Sequence, residues 1–450
     1  MNNKMITLIT EKIISWQKRS PFLILILAAV VGAFTGLIGS LFQLSLNFIL
    51  NWHENFSKYS LEIPYYLKYF LLFIIPALMG VISFYLVRKY APETSGSGIP
   101  EVEGALMDLR PIRWWRVLPV KFVGGLAALG SGMILGREGP TVQIGANLGK
   151  MVSDTCKLEN KESQHTLISA GAGAGITTAF NAPLGGILFV IEEMRDEFSY
   201  TKSSILAVFI GCISACLTYQ LIINSAPILT ISTPNSVPLN SLWIFIILGF
   251  VLGIIGSCSN FLILKTRSFL AFFYNKNKFN FIITGAVLAG TFGLLFSFRS
   301  ELAGDGFNVI PKVVEGLYGF YPLFLILIFR FFATIVSFGS GAPGGIFSPT
   351  MALGAIIGVL FGFIIQDFLP NYDINLATFT ILAMAGLFAA TIRAPLTGIV
   401  IVMEMTNAYM LILPLILTCA AATFMAQTLG SSPLYSAILE NTLKNKGTDK

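Results

Sequence analysis

The sequence predicts an all-α polytopic membrane protein, two inverted-topology repeats of short, tilted and discontinuous helices. Three observations carry this prediction. Hydrophobic residues fill 55% of the 450 positions and charged residues only 12%, with a mean hydropathy of +0.76, a composition that aggregates in water and suits lipid. Apolar stretches of about 20 residues, the length that crosses ~30 Å of hydrocarbon, recur along the chain. Two glycine- and proline-rich segments of the first half return in the second half with their spacing kept.

Stretches long enough to span begin at Pro21 to Leu50, Tyr66 to Val87, Ser204 to Ile223 and Leu242 to Leu264, and others run from Phe281 to Phe296, Pro322 to Phe338 and Leu411 to Leu429. The first is too long for the apolar core of a secretory signal and reads as a retained span. The formal charge of +6 forms no basic stripe and the aromatics lie in apolar runs, which argues against nucleic acid. Topology explains the excess better. Lys4, Lys12, Lys18 and Arg19 precede the first span, Arg88 and Lys89 follow the second, and Lys444, Lys446 and Lys450 close the chain, so both termini are expected on the cytoplasmic side of a cell (inner) membrane. Ser225 to Ser241 carries no charge and fits the outer face.

The expected organisation is a cytoplasmic segment at 1–20, a first transmembrane half at 21–224, an extracytoplasmic connection at 225–241, a second half at 242–440 and a short cytoplasmic tail at 441–450, without a C-terminal regulatory domain. The cysteines (Cys156, Cys212, Cys216, Cys258, Cys419) are odd in number and lack metal-ligand spacing. No disulfide, metal site or cofactor is predicted.

The internal repeat locates the site. GSGMILGREGPTVQIGANLG from Gly130 aligns with GSGAPGGIFSPTMALGAIIG from Gly339, pairing Gly136 with Gly345, Pro140 with Pro349, Thr141 with Thr350, Gly145 with Gly354 and Gly149 with Gly358 at one offset of 209. NAPLGGILFVIEE from Asn181 aligns with RAPLTGIVIVMEM from Arg393 at an offset of 212. Duplicated membrane scaffolds are often inverted and bind at the repeat interface near mid-membrane. Glycines that merely let helices pack closely are the plainer reading of any one of them, but packing does not explain Gly-x-x-x-Pro recurring with fixed spacing. Proline after a glycine-rich stretch marks a helix start, because it lacks the donor that a first turn leaves unpaired. Pro140 to Val152 and Pro183 to Met194 are about a dozen residues each, too short to cross alone, and read as half-helices ending inside the membrane.

A helix N-terminus offers unpaired amides and roughly half a positive charge, enough to hold an anion. A lysine or arginine at that depth would cost roughly 2.5 to 3.5 kcal/mol to insert, and irregular backbone there is tolerated only when buried in protein or lining a cavity. Three such starts are legible: GSGIPE at Gly96 to Glu101, GREGP at Gly136 to Pro140 and GGIFSP at Gly344 to Pro349.

With these three segments in this order, and with the repeats, the chain resembles the CLC chloride channels and transporters from about Pro21 to Leu443; the family's signatures are GSGIP, G(K/R)EGP and GxFxP. It is most similar to the prokaryotic proton/chloride exchangers, since it stops soon after its last motif. The resemblance implies a chloride/proton antiporter in the lipid bilayer, a homodimer with one pathway per subunit. A passive chloride channel of the same family is the alternative.

Residue types alone leave several roles open. The Ser97 hydroxyl can donate to an anion or cap a helix. Glu138 can be a dipole-stabilised first-turn glutamate, or occupy the anion's own place because it carries the same charge. Ile346 and Phe347 offer backbone amides, although a phenylalanine there also packs. Tyr435 fits an interfacial anchor. The resemblance makes Ser97, Ile346, Phe347 and Tyr435 the chloride ligands, Glu138 the gate and external proton acceptor, and Glu193 the internal proton acceptor, where a glutamate accompanies exchange. Glu192 has a repeat partner in Glu404 and reads as structural, whereas Glu193 faces Met405 in the alignment and is available for function. Lys121 can simply flank a span; the resemblance places it inside, paired with Glu103. Gly96, Gly98, Pro100, Gly136, Arg137, Gly139, Pro140, Gly345 and Pro349 support the site as motif residues.

An enzyme is poorly supported: His53 and His165 are the only histidines and neither has triad or metal spacing. A receptor would need neither inward glycine turns nor a buried carboxylate at a helix start.

Overall fold

The computed structural model describes residues 21–59, 64–194, 200–231, 237–277, 279–372 and 374–447. The expected segment 1–20, with Lys4, Lys12, Lys18 and Arg19, lies outside the described residues, as do Arg195 and Lys450.

The repeat seen in sequence is a repeat of helices. The first half comprises α1 (Pro21–Tyr59), α2 (Tyr65–Tyr90), α3 (Ile99–Leu106), α4 (Trp114–Gly130), α5 (Glu138–Thr155), α6 (Lys161–Phe180), α7 (Pro183–Glu193) and α8 (Lys202–Ile222). The second half comprises α9 (Leu242–Lys276), α10 (Asn280–Phe298), α11 (Val309–Val314), α12 (Phe320–Gly339), α13 (Phe347–Phe368), α14 (Leu376–Ile392), α15 (Pro395–Thr406) and α16 (Ile412–Thr428), and α17 (Leu434–Gly447) follows. Among the described residues there is no strand beyond one isolated bridge.

The packing obeys the same duplication. Helix α5 lies on α6 as α13 lies on α14, α1 on α8 as α9 on α16, and α4 on α5 as α12 on α13. Two pairs of mates, α2 with α10 and α7 with α15, pack on each other, which sets a pseudo-two-fold axis between them. The plain reading of some motif glycines holds. A Cβ at Gly145, Gly149, Gly354 or Gly358 would lie 2.0 to 2.4 Å from the carbonyl oxygens of Gly171, Leu167, Ala383 and Phe379, so these four let α5 close on α6 and α13 on α14.

Reciprocal capping joins the halves. Helices α7 and α15 open at Ala182 and Ala394, whose side chains cannot cap. The Glu192 carboxylate instead accepts from the amides of Leu396 (3.0 Å) and Thr397 (2.7 Å) and from the Thr397 hydroxyl (2.8 Å). Glu404 accepts from the amides of Leu184 (3.2 Å) and Gly185 (2.8 Å). Each repeat thus neutralises the orphan donors that open a helix of the other, the structural role the alignment predicts for Glu192.

Three expectations change. Helix α5 begins two residues before Pro140 and runs 18 residues, because proline is compatible with any position of a first turn; α7, at 11 residues, remains short. Among the described residues eight helices, rather than seven stretches, are long and apolar enough to cross a membrane. The addition is α13, whose apolar window is 78% buried against 33 to 44% in the other seven, so it crosses inside the protein. The boundary drawn at 440 falls within α17, where Glu440 pairs with Lys444 one turn on (2.6 Å).

Glu192→Ala removes the acceptor for two amides and a hydroxyl, each charge-assisted bond contributing about 1.5 to 3 kcal/mol. The variant should melt at clearly lower temperature in detergent, with Glu192→Gln falling between it and the parent. An unchanged melting temperature for Glu192→Ala contradicts the capping role.

Candidate anion site

The two motif turns meet back to back at the centre of the protein. Gly132 and its mate Gly341 adopt φ of +86° and +82°, a left-handed conformation that glycine adopts without strain, and each turn leads into a short extended stretch. There Gly136 donates to the Gly345 carbonyl (2.8 Å) and Gly345 to the Gly136 carbonyl (2.7 Å). The bridge joins repeat-equivalent residues, so the pseudo-two-fold axis passes between them. Two residues further, α5 and α13 begin at Glu138 and Phe347, again equivalent positions.

Their side chains break the symmetry. The fully buried Glu138 side chain crosses to the opening of α13, where Oε1 accepts from the Phe347 amide (2.6 Å) and Oε2 from the Ser348 hydroxyl (2.9 Å). A Cβ on Gly136 or Gly345 would lie 2.1 Å from a carboxylate oxygen. The two bridge glycines therefore clear the space in which the carboxylate sits. Of the two readings of Glu138 left open by sequence, the geometry is that of an anion seated on the other repeat's helix end.

An aromatic wall lies on the far side of Phe347. Its ring is buried against Phe388 (4.6 Å between centroids), Tyr435 (5.9 Å), Phe189 (6.1 Å) and Phe180 (6.3 Å). Tyr435, the second residue of α17, is buried, and its hydroxyl has no hydrogen-bond partner among the described residues. Buried hydroxyls normally find one. The Ser97 hydroxyl lies beside it, outside hydrogen-bond geometry, and Glu138, Glu193 and Glu103 are within electrostatic reach. Ser97, one residue before the N-cap Gly98, accepts only a long bond from the Ile99 amide (3.4 Å). The carboxylate and its two α13 donors thus satisfy one another, while the Tyr435 hydroxyl near them is left without a partner among the described residues.

A family model described as "Voltage gated chloride channel" matches residues 79–427. The chain belongs to that family. As a CLC protein it is 46% identical over 434 residues to proteins of Salmonella arizonae and Salmonella newport named "H(+)/Cl(-) exchange transporter ClcA", covering 96% of this chain and 92% of each relative. Among solved structures it is similar to a slow cyanobacterial Cl-/H+ antiporter, with a TM-score of 0.90 at 37% identity over 94% of this chain and 99% of that one. A CLC-type fluoride/proton antiporter shares the fold, with a TM-score of 0.74 at 20% identity over 92% of this chain and 97% of that one.

The remaining predicted residues surround this CLC centre at differing distances. Lys121, on α4, is buried, and its ammonium donates to the carbonyls of Thr94 (2.9 Å) and Gly96 (2.7 Å), which fastens α4 to the turn bearing Ser97. Gly96 and Gly98 take φ of +69° and +86°, and Pro100 is the second residue of α3. Glu103 is buried on α3. Arg137 is buried beside Glu138, donating to the Ala179 carbonyl (3.1 Å) over the Phe307 ring. Gly139 packs against the backbone of Ser97 and Gly345. Pro140 and Pro349 are each third in their helices, and Ile346 immediately precedes α13. Glu193 closes α7, half-buried, away from the Glu138 carboxylate's bonds.

Sequence reasoning missed Ser348 and the ring partners of Phe347. Ser348 stands inside GGIFSP, but its repeat mate is Gly139, so the duplication gave no reason to prefer it. The phenylalanines come from α6, α7 and α14 and share no spacing.

Gly136→Ala puts a methyl where the Glu138 carboxylate lies, 2.1 to 2.5 Å from its atoms and from no backbone as near. The expected result is displacement of Glu138 from the Phe347 amide and loss of transport by tenfold or more, about 1.4 kcal/mol per tenfold, with little change in folding yield; transport at the parent rate removes the steric argument.

Proposed function

We propose that this protein is a secondary active transporter that exchanges chloride for protons across the inner (cell) membrane, the activity named for its 46% identical relatives. One observation supports this reading above the others: the Glu138 carboxylate rests on the Phe347 amide and Ser348 hydroxyl, donors equally suited to a halide. One negative charge satisfies them at a time. When Glu138 is ionised it holds the place. When it is protonated its hold on the donors weakens, and chloride can occupy the space between these amides, Ser97 and Tyr435, whose hydroxyls have bonding capacity to spare. Occupancy and protonation then exclude each other, and that exclusion couples the two fluxes.

Protons reach Glu138 by way of Glu193, with the Tyr435 hydroxyl within electrostatic reach of both. Lys121 holds the Ser97 turn in place, and Glu103 contributes to the charge balance behind it. A glutamate at 193 favours exchange over passive conduction. No cofactor or chemical transformation is required, so the protein is a transporter and not an enzyme. Arg88, Lys89, Arg110, Arg113 and Arg116 favour the cytoplasmic side for both termini. We further propose a homodimer with a complete pathway in each subunit.

Reconstituted in liposomes, the protein should drive protons uphill when given a chloride gradient, read simultaneously with a chloride and a pH electrode. Glu193→Gln should keep chloride flux and its rise toward low pH while abolishing proton movement. Glu138→Gln should abolish proton movement and also flatten the pH dependence of chloride flux, since its neutral amide no longer competes as a charge. Proton coupling that survives Glu193→Gln refutes that residue's assignment.

A further inference from the structure

Beside the central site the turn bearing Ser97 lines a small, partly open recess, together with Ser95, Glu101, Arg267, Ile438 and Thr442 among others. Arg267 belongs to α9, near the far end of a 35-residue helix, and no motif or repeat singles it out. Its guanidinium lies against the signature turn: Nη1 is 3.2 Å from where a Gly96 Cβ would stand. Every other cation nearby is engaged. Arg110 forms both bonds of a bidentate pair with Glu101 (2.7 and 2.8 Å), Arg113 does so with Glu93 (2.9 Å each), and Lys121 is held by two carbonyls. Arg267 has no hydrogen bond or ion pair within 4 Å among the described residues. Glu101, the acid that acts on it electrostatically, is already committed to Arg110.

A half-buried guanidinium that no acid bonds, on the wall of a recess, is a standing attraction for anions. Low-dielectric walls focus its field toward the Ser97 hydroxyl and the opening of α3, which line the same recess. Arg267 is not among the partners of the Glu138 carboxylate, so it acts on arrival and not on the coupled step.

We propose that Arg267 is a positioning residue for chloride at the α17-side mouth, raising the local anion concentration from which the Ser97–Tyr435 site fills. This rests on the exchange function proposed above. Anions from the opposite face meet Glu138 and Arg137 first and are insensitive to it. Lysine at 267 supplies the same charge and glutamine does not.

The test measures chloride dependence of transport separately from each face, for the parent, Arg267→Gln and Arg267→Lys, at low ionic strength and with added impermeant salt. For Arg267→Gln the half-saturating chloride at the α17 face should rise about tenfold, the low end of electrostatic steering. It should stay unchanged at the other face, with the proton-to-chloride ratio preserved. Arg267→Lys should stay within about twofold of the parent. Added salt should weaken the parent toward the glutamine variant, since screening acts over about 10 Å at 0.1 M. An unchanged value for Arg267→Gln, an equal shift at both faces, or a lysine variant as impaired as glutamine overturns the proposal. The parent's own salt response decides the matter if the variants fold poorly. A parent that exchanges neither ion fails the function above, and not this inference alone.

Discussion

A single negative charge on a helix end supports the rest of this architecture. The opening of α13 supplies an amide and a hydroxyl, buried and uncompensated except by whatever anion sits on them, and in this structure that anion is the Glu138 carboxylate. Peptide dipoles are suited to the task because their attraction is partial. Hydrogen bonds to a charged group contribute about 1.5 to 3 kcal/mol each, a moderate hold. The formal cations Lys121 and Arg137 donate to carbonyls, shaping the walls without touching the Glu138 carboxylate.

Much of this was legible in sequence because duplication writes itself twice. The offset of 209 paired Gly136 with Gly345 before any coordinates did, and the two glycines turn out to be bonded to each other. The pairing of Glu192 with Glu404 likewise anticipated a reciprocal structural role. What stayed hidden arises where the repeats differ or where distant elements converge. Ser348 has glycine as its mate, the phenylalanines around Phe347 come from three separate helices, and Arg267 sits in an apolar run on α9. The extent of α13 was hidden for another reason: its start is a glycine-rich motif, and the eye reads motif before span. Hydropathy reports apolarity without distinguishing burial in protein from burial in lipid.

Rigidity around Glu138 has its own physical source. Small residues let α5 close on α6 and α13 on α14 until backbone meets backbone, and the Phe347 ring is locked among four aromatic neighbours. Interiors packed this closely have low compressibility and resist rearrangement.

The same device, a carboxylate from one repeat seated on a helix end of the other, occurs three times among the described residues, and the three are not alike. Glu192 and Glu404 reciprocate: each satisfies two amides, and losing either unbalances both halves. Nothing would be gained by their release. Glu138 has no reciprocal, because its mate is Phe347, whose side chain cannot bind the opening of α5. It also has room, since Gly136 and Gly345 together clear the space around its oxygens. Symmetry made the frame, and the loss of symmetry at one pair of positions made a carboxylate with no counterpart in the other repeat. The helix end on which it sits is fixed by the Gly136–Gly345 bridge beside it.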